Sequence, residues 1–154
     1  MDNSFMARAI QLAVENVQTG GGPFGAVIVK DGVMVAEAAN QVTATNDPTA
    51  HAEVLAIRAA CSKLRGFELQ GCEIYTSCEP CPMCLGAIYW SRLARIHFAS
   101  LAADASQAGF DDSLFYREIA RPHTQRTIPM VQMMRMEALA AFRAWQAKTT
   151  RIEY

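Results

Sequence analysis

Two short segments of this 154-residue chain combine residues that can hold a metal ion and move a proton. One is His51-Ala52-Glu53. The other is Cys78-Glu79-Pro80-Cys81-Pro82-Met83-Cys84. Cys81 and Cys84 stand three apart, a spacing that puts both sulfurs on one side of the first turn of a helix. The partly positive N-terminus of a helix favours thiolates, the form that binds zinc. Each sulfur would lie about 2.3 Å from the ion. His51 adds a nitrogen ligand. Two sulfurs and one nitrogen leave the fourth tetrahedral position open, as in catalytic zinc sites, whereas structural sites are closed by four protein ligands. Water at such a position loses a proton near neutral pH. Glu53, two residues beyond His51, is placed to take that proton without being a ligand.

The same residues have plainer readings. His51, Cys78, Cys81 and Cys84 together would make a closed zinc knuckle, but such a site has no use for Glu53. Cys78 is therefore read either as a thiol next to the metal ligands or as a simply packed one, and Cys61 and Cys72 as core. Glu79, just before Pro80, is read as a cap for the helix that follows. Five cysteines, an odd number with three of them crowded together, do not suit a disulfide framework. Gly20-Gly21-Gly22 is not a phosphate loop, because no Gly-Lys-Ser/Thr follows.

The elements that must position these groups follow from periodicity. Ser4 to Gln18 carries Phe5, Ala9, Leu12, Ala13 and Val17 at helical spacing. Phe24–Val29 and Val33–Ala39 flank Lys30-Asp31-Gly32 and read as a hairpin. A helix is expected from about Pro48 to Leu64, capped by Asp47. Cys72–Ser77 is a strand candidate. A second helix would enter at Pro80 and run to about Trp90, with Trp90 in the core. Arg95–Ser100 alternates as a strand, and Leu101–Pro129 is less regular. Val131–Met134 is a last strand candidate, and Glu137–Lys148 is a helix. Met130, Met133, Met134 and Met136 read as core or dimer packing. The expected class is α/β, a three-layer α/β/α sandwich around a mixed sheet of about five strands. No repeat or linker divides the chain, so a single domain over 1–154 is expected.

Composition narrows the function classes. With 51% hydrophobic and 19% charged residues, the chain has the material for one core. A formal net charge of -1 argues against a protein built to grip long nucleic acid. No apolar run is long enough to span a bilayer. Met1-Asp2-Asn3-Ser4 does not open a signal peptide, so a cytoplasmic protein is expected.

The paired pattern of His-x-Glu with Pro-Cys-x-x-Cys resembles the cytidine-deaminase-like superfamily of zinc nucleobase deaminases. The resemblance extends from Gly22-Pro23-Phe24-Gly25-Ala26 through Thr49-Ala50-His51-Ala52-Glu53 to Cys81-Pro82-Met83-Cys84-Leu85-Gly86-Ala87-Ile88. Within the superfamily the chain is most similar to the bacterial guanine deaminases. Asn46 to Glu53, Thr76 to Cys81, Gly109-Phe110-Asp111-Asp112-Ser113 and the final Glu153-Tyr154 carry that likeness.

This resemblance implies one Zn2+ per subunit, held by His51, Cys81 and Cys84. It also implies hydrolysis of guanine to xanthine and ammonia, with Glu53 relaying the proton and Asp112 a second acid near the leaving amine. The base would contact Phe24, Asn40, His51 and Tyr154. A homodimer would exchange C-terminal segments, about 130–154, and Tyr154 would then line the site. From the residues alone, Asn40 also reads as a strand-end turn residue, Asp111 and Asp112 as loop or cap residues, Phe24 and Phe110 as core, and the tail as frayed. Rival activities are deamination of tRNA adenosine, which calls for a basic face, and of cytosine or guanosine. The non-enzymatic rival is a structural zinc module that binds a partner.

Overall fold

The computed structural model describes residues 3–154. Met1 and Asp2, part of the N-terminal stretch considered above, lie outside the described residues. The elements in order are α1 (Ser4–Gln18), β1 (Gly25–Lys30), β2 (Val33–Ala39), α2 (Val42–Thr45), α3 (Ala52–Leu64), β3 (Cys72–Cys78) and α4 (Pro82–Trp90). Then follow β4 (Arg95–Ser100), α5 (Ala102–Gln107), α6 (Ser113–Ala120), a short 3-10 turn (His123–Gln125) and α7 (Arg135–Ala147). The chain forms two compact units, the first ending at Asp112 and the second being Ser113–Tyr154.

The first unit holds a mixed sheet in the order β2-β1-β3-β4. β1 runs antiparallel to β2 and β3, while β3 and β4 are parallel. Asp31 (φ 49) and Gly32 (φ 75) close the β1–β2 hairpin in the left-handed conformations that a tight two-residue turn needs. Strand alternation sorts the side chains between two layers. Ala26 and Ile28 face α3, packing with Ala52, Ala56, Ile57 and Ala60. Val27 and Val29 face α1, against Ala9, with Phe5 and Leu12 around them. Helices therefore cover both faces of the sheet, as the three-layer reading expects. Gly25 permits close approach of α1: a side chain there would collide with the Ala9 backbone.

Several expectations are corrected. The sheet has four strands among the described residues, not about five: residues 131–134 form no strand. A strand exists only through its ladder partner, and this segment has none among them. Leu101–Pro129, for which the sequence predicts no element, carries α5 and α6. α3 starts at Ala52 rather than near Pro48. Asp47 Oδ1 accepts the Thr49 N–H at 2.8 Å and the Thr49 hydroxyl at 2.7 Å, making a turn before the helix instead of its cap. Val17 and Trp90 are exposed, not core; Met130, Met133, Met134 and Met136 are exposed too, which removes the core alternative for them. No helix among the described residues is long and apolar enough to cross a membrane.

Candidate active site

The site lies in the first unit, where β2, β3 and β4 end and β1 begins. That edge is where mixed sheets of this kind present ligands. Two helices start there. His51 is extended (φ -71, ψ 151) just before α3, and Cys81 is extended (φ -65, ψ 166) just before α4. Pro82, the first residue of α4, has no N–H to leave unpaired. Cys84 follows one turn later and is fully buried. Both helix starts thus deliver their first side chains to one point.

His51 Nδ1 lies 3.6 Å from Cys81 Sγ and 3.4 Å from Cys84 Sγ. The three potential ligand atoms are all within 4.8 Å of one another. In a tetrahedral zinc site the ordinary bond lengths put a nitrogen and a sulfur about 3.5 Å apart. These residues therefore fit a zinc ion, and the donor nitrogen is Nδ1. Their electrostatics agree. The Cys81 thiol is pulled down to about 4, first by its hydrogen bond with Cys84 and then by His51. The Cys84 thiol is pushed up, first by that same bond and then by burial. The pair takes one negative charge readily and resists a second, and a divalent cation relieves that resistance. His51 is raised by its hydrogen bond with Cys81.

Glu53, in the first turn of α3, is buried beside this cluster. Burial raises its carboxyl above the ordinary value, and it hydrogen-bonds Cys84. Asp112 is half-buried, and its carboxyl is raised by burial first and by the neighbouring charge of Cys81 next. Asn40 is buried at the end of β2. Its N–H donates to Phe24 O at 3.0 Å, and its Oδ1 accepts the Val42 N–H at 3.2 Å. The Gln41 N–H donates to Ala50 O at 2.9 Å, which ties the residue after Asn40 to the residue before His51. Phe24 meets Phe110 edge to face, with ring centroids 5.0 Å apart.

In the first unit Glu53 and Asp112 thus lie near His51, Cys81 and Cys84, while Asn40 and Phe24 are joined to each other by a backbone hydrogen bond where β2 ends and β1 begins. Tyr154 belongs to the second unit, where it is exposed and its ring meets Trp145 at 6.4 Å. Cys78 is buried outside the ligand cluster, and its Sγ donates to Leu101 O at 3.6 Å. Glu79 does not cap α4: its Oε2 accepts the N–H of Ala102, the first residue of α5, at 3.1 Å. The sequence reading missed Asn16. A polar residue continuing the Ala9–Ala13 stripe of α1 was the signal that could have found it.

Residues 1–100 match the family model described as "Cytidine and deoxycytidylate deaminase zinc-binding region". The chain is 55% identical to the guanine deaminase of Bacillus subtilis (strain 168), over 98% of this chain and 97% of that one. The X-ray structure of guanine deaminase from Bacillus subtilis superposes with a TM-score of 0.97 at 54% identity, covering 100% of this chain and 99% of the other. The tRNA-specific adenosine deaminase of Aquifex aeolicus (strain VF5) is 43% identical over 63% of this chain and 64% of its own. The fold and the zinc-ligand cluster agree with these likenesses, and the chain belongs to the cytidine and deoxycytidylate deaminase zinc-binding family of zinc-dependent hydrolytic enzymes.

Proposed function

We propose that this chain hydrolyses guanine to xanthine and ammonia. One observation carries the reading: the 55% identity to a guanine deaminase runs over 98% of the chain, and so through both compact units. The tRNA adenosine deaminase likeness covers 63%. The net charge of -1 also suits a small neutral base better than an anticodon arm.

When bound, zinc supplies an acidified water at the open position left by His51, Cys81 and Cys84. The protein's own groups do the rest. Phe24 and His51 lie against the base, and Asn40 holds its edge. Glu53, whose burial makes its carboxylate a better base, accepts the water's proton and hands it to the ring nitrogen beside C2. The water oxygen bonds to C2, the bond from C2 to the amino nitrogen breaks, and ammonia departs. Asp112, also raised by burial, gives the departing amine its proton and regains one from the oxygen that becomes the xanthine carbonyl. Atoms balance as guanine plus water to xanthine plus ammonia.

Tyr154 of the partner subunit would close over the base, in a homodimer that exchanges residues 130–154. Exposed apolar residues support this reading. Ile128, Val131, Met133 and Phe142 lie open in the second unit, and Ile10, Val14 and Val17 lie open on α1 of the first. Surfaces of this kind mark association. Charge favours the pairing, because Ser113–Tyr154 holds seven of the 14 basic residues and three of the 15 acidic ones.

The test is ammonia release from the zinc-loaded protein, offered guanine, adenine, cytosine, guanosine and tRNA in parallel. Guanine should yield xanthine and ammonia, and tRNA should remain unchanged. Turnover of tRNA or cytosine with none on guanine would overturn the reading. Light scattering should give twice the chain mass; a monomer with full activity would remove the exchange.

A further inference from the structure

Asn16 sits near the end of α1 and is buried, although the mechanism above gives it no task. Its Nδ2 donates to two backbone carbonyls, Gly22 O at 2.8 Å and Asn40 O at 2.8 Å. One amide thus uses both its N–H bonds to join the loop after α1 to the end of β2. Its own backbone carbonyl accepts the Gly21 N–H at 2.8 Å, which pins the same loop a second time. The glycines explain how tightly this is packed. A side chain at Gly21 would overlap the Asn16 amide, and a Cβ at Gly22 would come within 3.1 Å of Asn40 Oδ1.

Two turns hang from this junction. The first is Gly22-Pro23-Phe24, which delivers the Phe24 ring and whose Phe24 O accepts the Asn40 N–H. The second is Asn40-Gln41-Val42, in which Asn40 Oδ1 is engaged by the Val42 N–H. That bond orients the Asn40 amide and keeps its NH2 as the donor end. We propose that Asn16 is a positioning residue for substrate recognition, holding the Asn40 amide and the Phe24 ring in one fixed relation so that edge and face of a flat purine are read together. The inference rests on the assignment of Asn40 and Phe24 to the base in the proposed function. Its physical basis is preorganisation: a donor fixed before binding loses no further freedom when the substrate arrives.

The experiment measures KM and kcat for guanine in the zinc-loaded enzyme, with melting temperature and zinc content for each variant. Asn16→Ala should raise KM about tenfold, the order expected for losing one oriented hydrogen bond. Zinc should stay near one per chain, and kcat should move by less than about threefold, the signature of lost ground-state binding. Asn40→Ala should raise KM similarly, and adding Asn16→Ala to it should raise KM by less than Asn16→Ala does alone, because the part of the clamp that acts through the Asn40 amide is already gone and only its hold on Phe24 remains. Gly22→Ala presses on Asn40 without touching α1, so it should also raise KM and serves if Asn16→Ala does not fold. A purely structural Asn16 would lower the melting temperature and leave KM unchanged. An unchanged KM in folded Asn16→Ala, or in Gly22→Ala, or multiplicative effects in the double variant, would overturn this inference alone. An unchanged KM in Asn40→Ala would overturn the Asn40 assignment beneath it. Absence of guanine turnover in the unaltered enzyme would overturn the proposed function itself.

Discussion

His51 Nδ1 lies 3.4 Å from Cys84 Sγ, although the two residues are 33 apart in the chain and start different helices. With Cys81 Sγ at 3.6 Å from the same nitrogen, one face of a zinc tetrahedron is already laid out. Cys84→Ser should therefore abolish tight zinc binding, because a hydroxyl neither reaches as far nor ionises as readily. Metal analysis should give less than about a tenth of an ion per chain after mild chelation, with activity lost in parallel. Full zinc in this variant would mean another residue completes the site.

Glu53 stands beside this cluster but outside the ligand set. Glu53→Gln should keep near-stoichiometric zinc and lower kcat by about 100-fold to 10000-fold, the usual range for a positioned acid–base group. Retained turnover would remove Glu53 from the reaction.

Asp112 is the other carboxyl raised by burial near Cys81. Asp112→Ala should reduce kcat by roughly 10-fold to 100-fold without releasing metal, a smaller loss than at Glu53 because ammonia departure can borrow protons from water. Unchanged kinetics would leave Asp112 as a loop residue.

Removal of Ile152 to Tyr154 should reduce guanine turnover at least about tenfold, since water then enters the site. The melting temperature should shift by less than about 2 °C, because these residues are exposed. Normal turnover in the truncated protein would end the role given to Tyr154.

Acid stability offers a check away from the site. Arg8 Nε and Nη2 contact the two carboxylate oxygens of Glu37 at 2.8 and 2.6 Å, joining α1 to β2. That hydrogen bonding holds Glu37 below its ordinary value of 4.5. Between the folded and unfolded values the unfolded chain binds more protons, so this pair stabilises the protein above pH 4.5, and the contribution fades as pH falls through the lowered value. Partial exposure keeps it under about 1 kcal/mol. Glu37→Gln should thus lower the melting temperature near neutrality and lose that deficit in acid. An equal deficit at every pH would count against the ion pair.

Much of this protein was legible in its sequence. The stripe of α1, the Asp31-Gly32 hairpin and β4 were readable because each is specified by local alternation or by the backbone freedom of one turn. The ligand set was readable because His51, Cys81 and Cys84 have few other reasons to share such spacing with Glu53. Tertiary structure decided the rest. It placed the start of α3 at Ala52, where Asp47 and Thr49 satisfy each other and leave His51 extended toward the metal position. It turned Glu79 away from its own helix to Ala102, a partner 23 residues on. It left Trp90 exposed and residues 131–134 unpaired. It also gave Asn16 two carbonyls to hold, Gly22 O before β1 and Asn40 O at the end of β2. Periodicity records which side chains are buried, but the partner of a buried polar group and the pairing of a strand depend on chain segments that meet only in the fold.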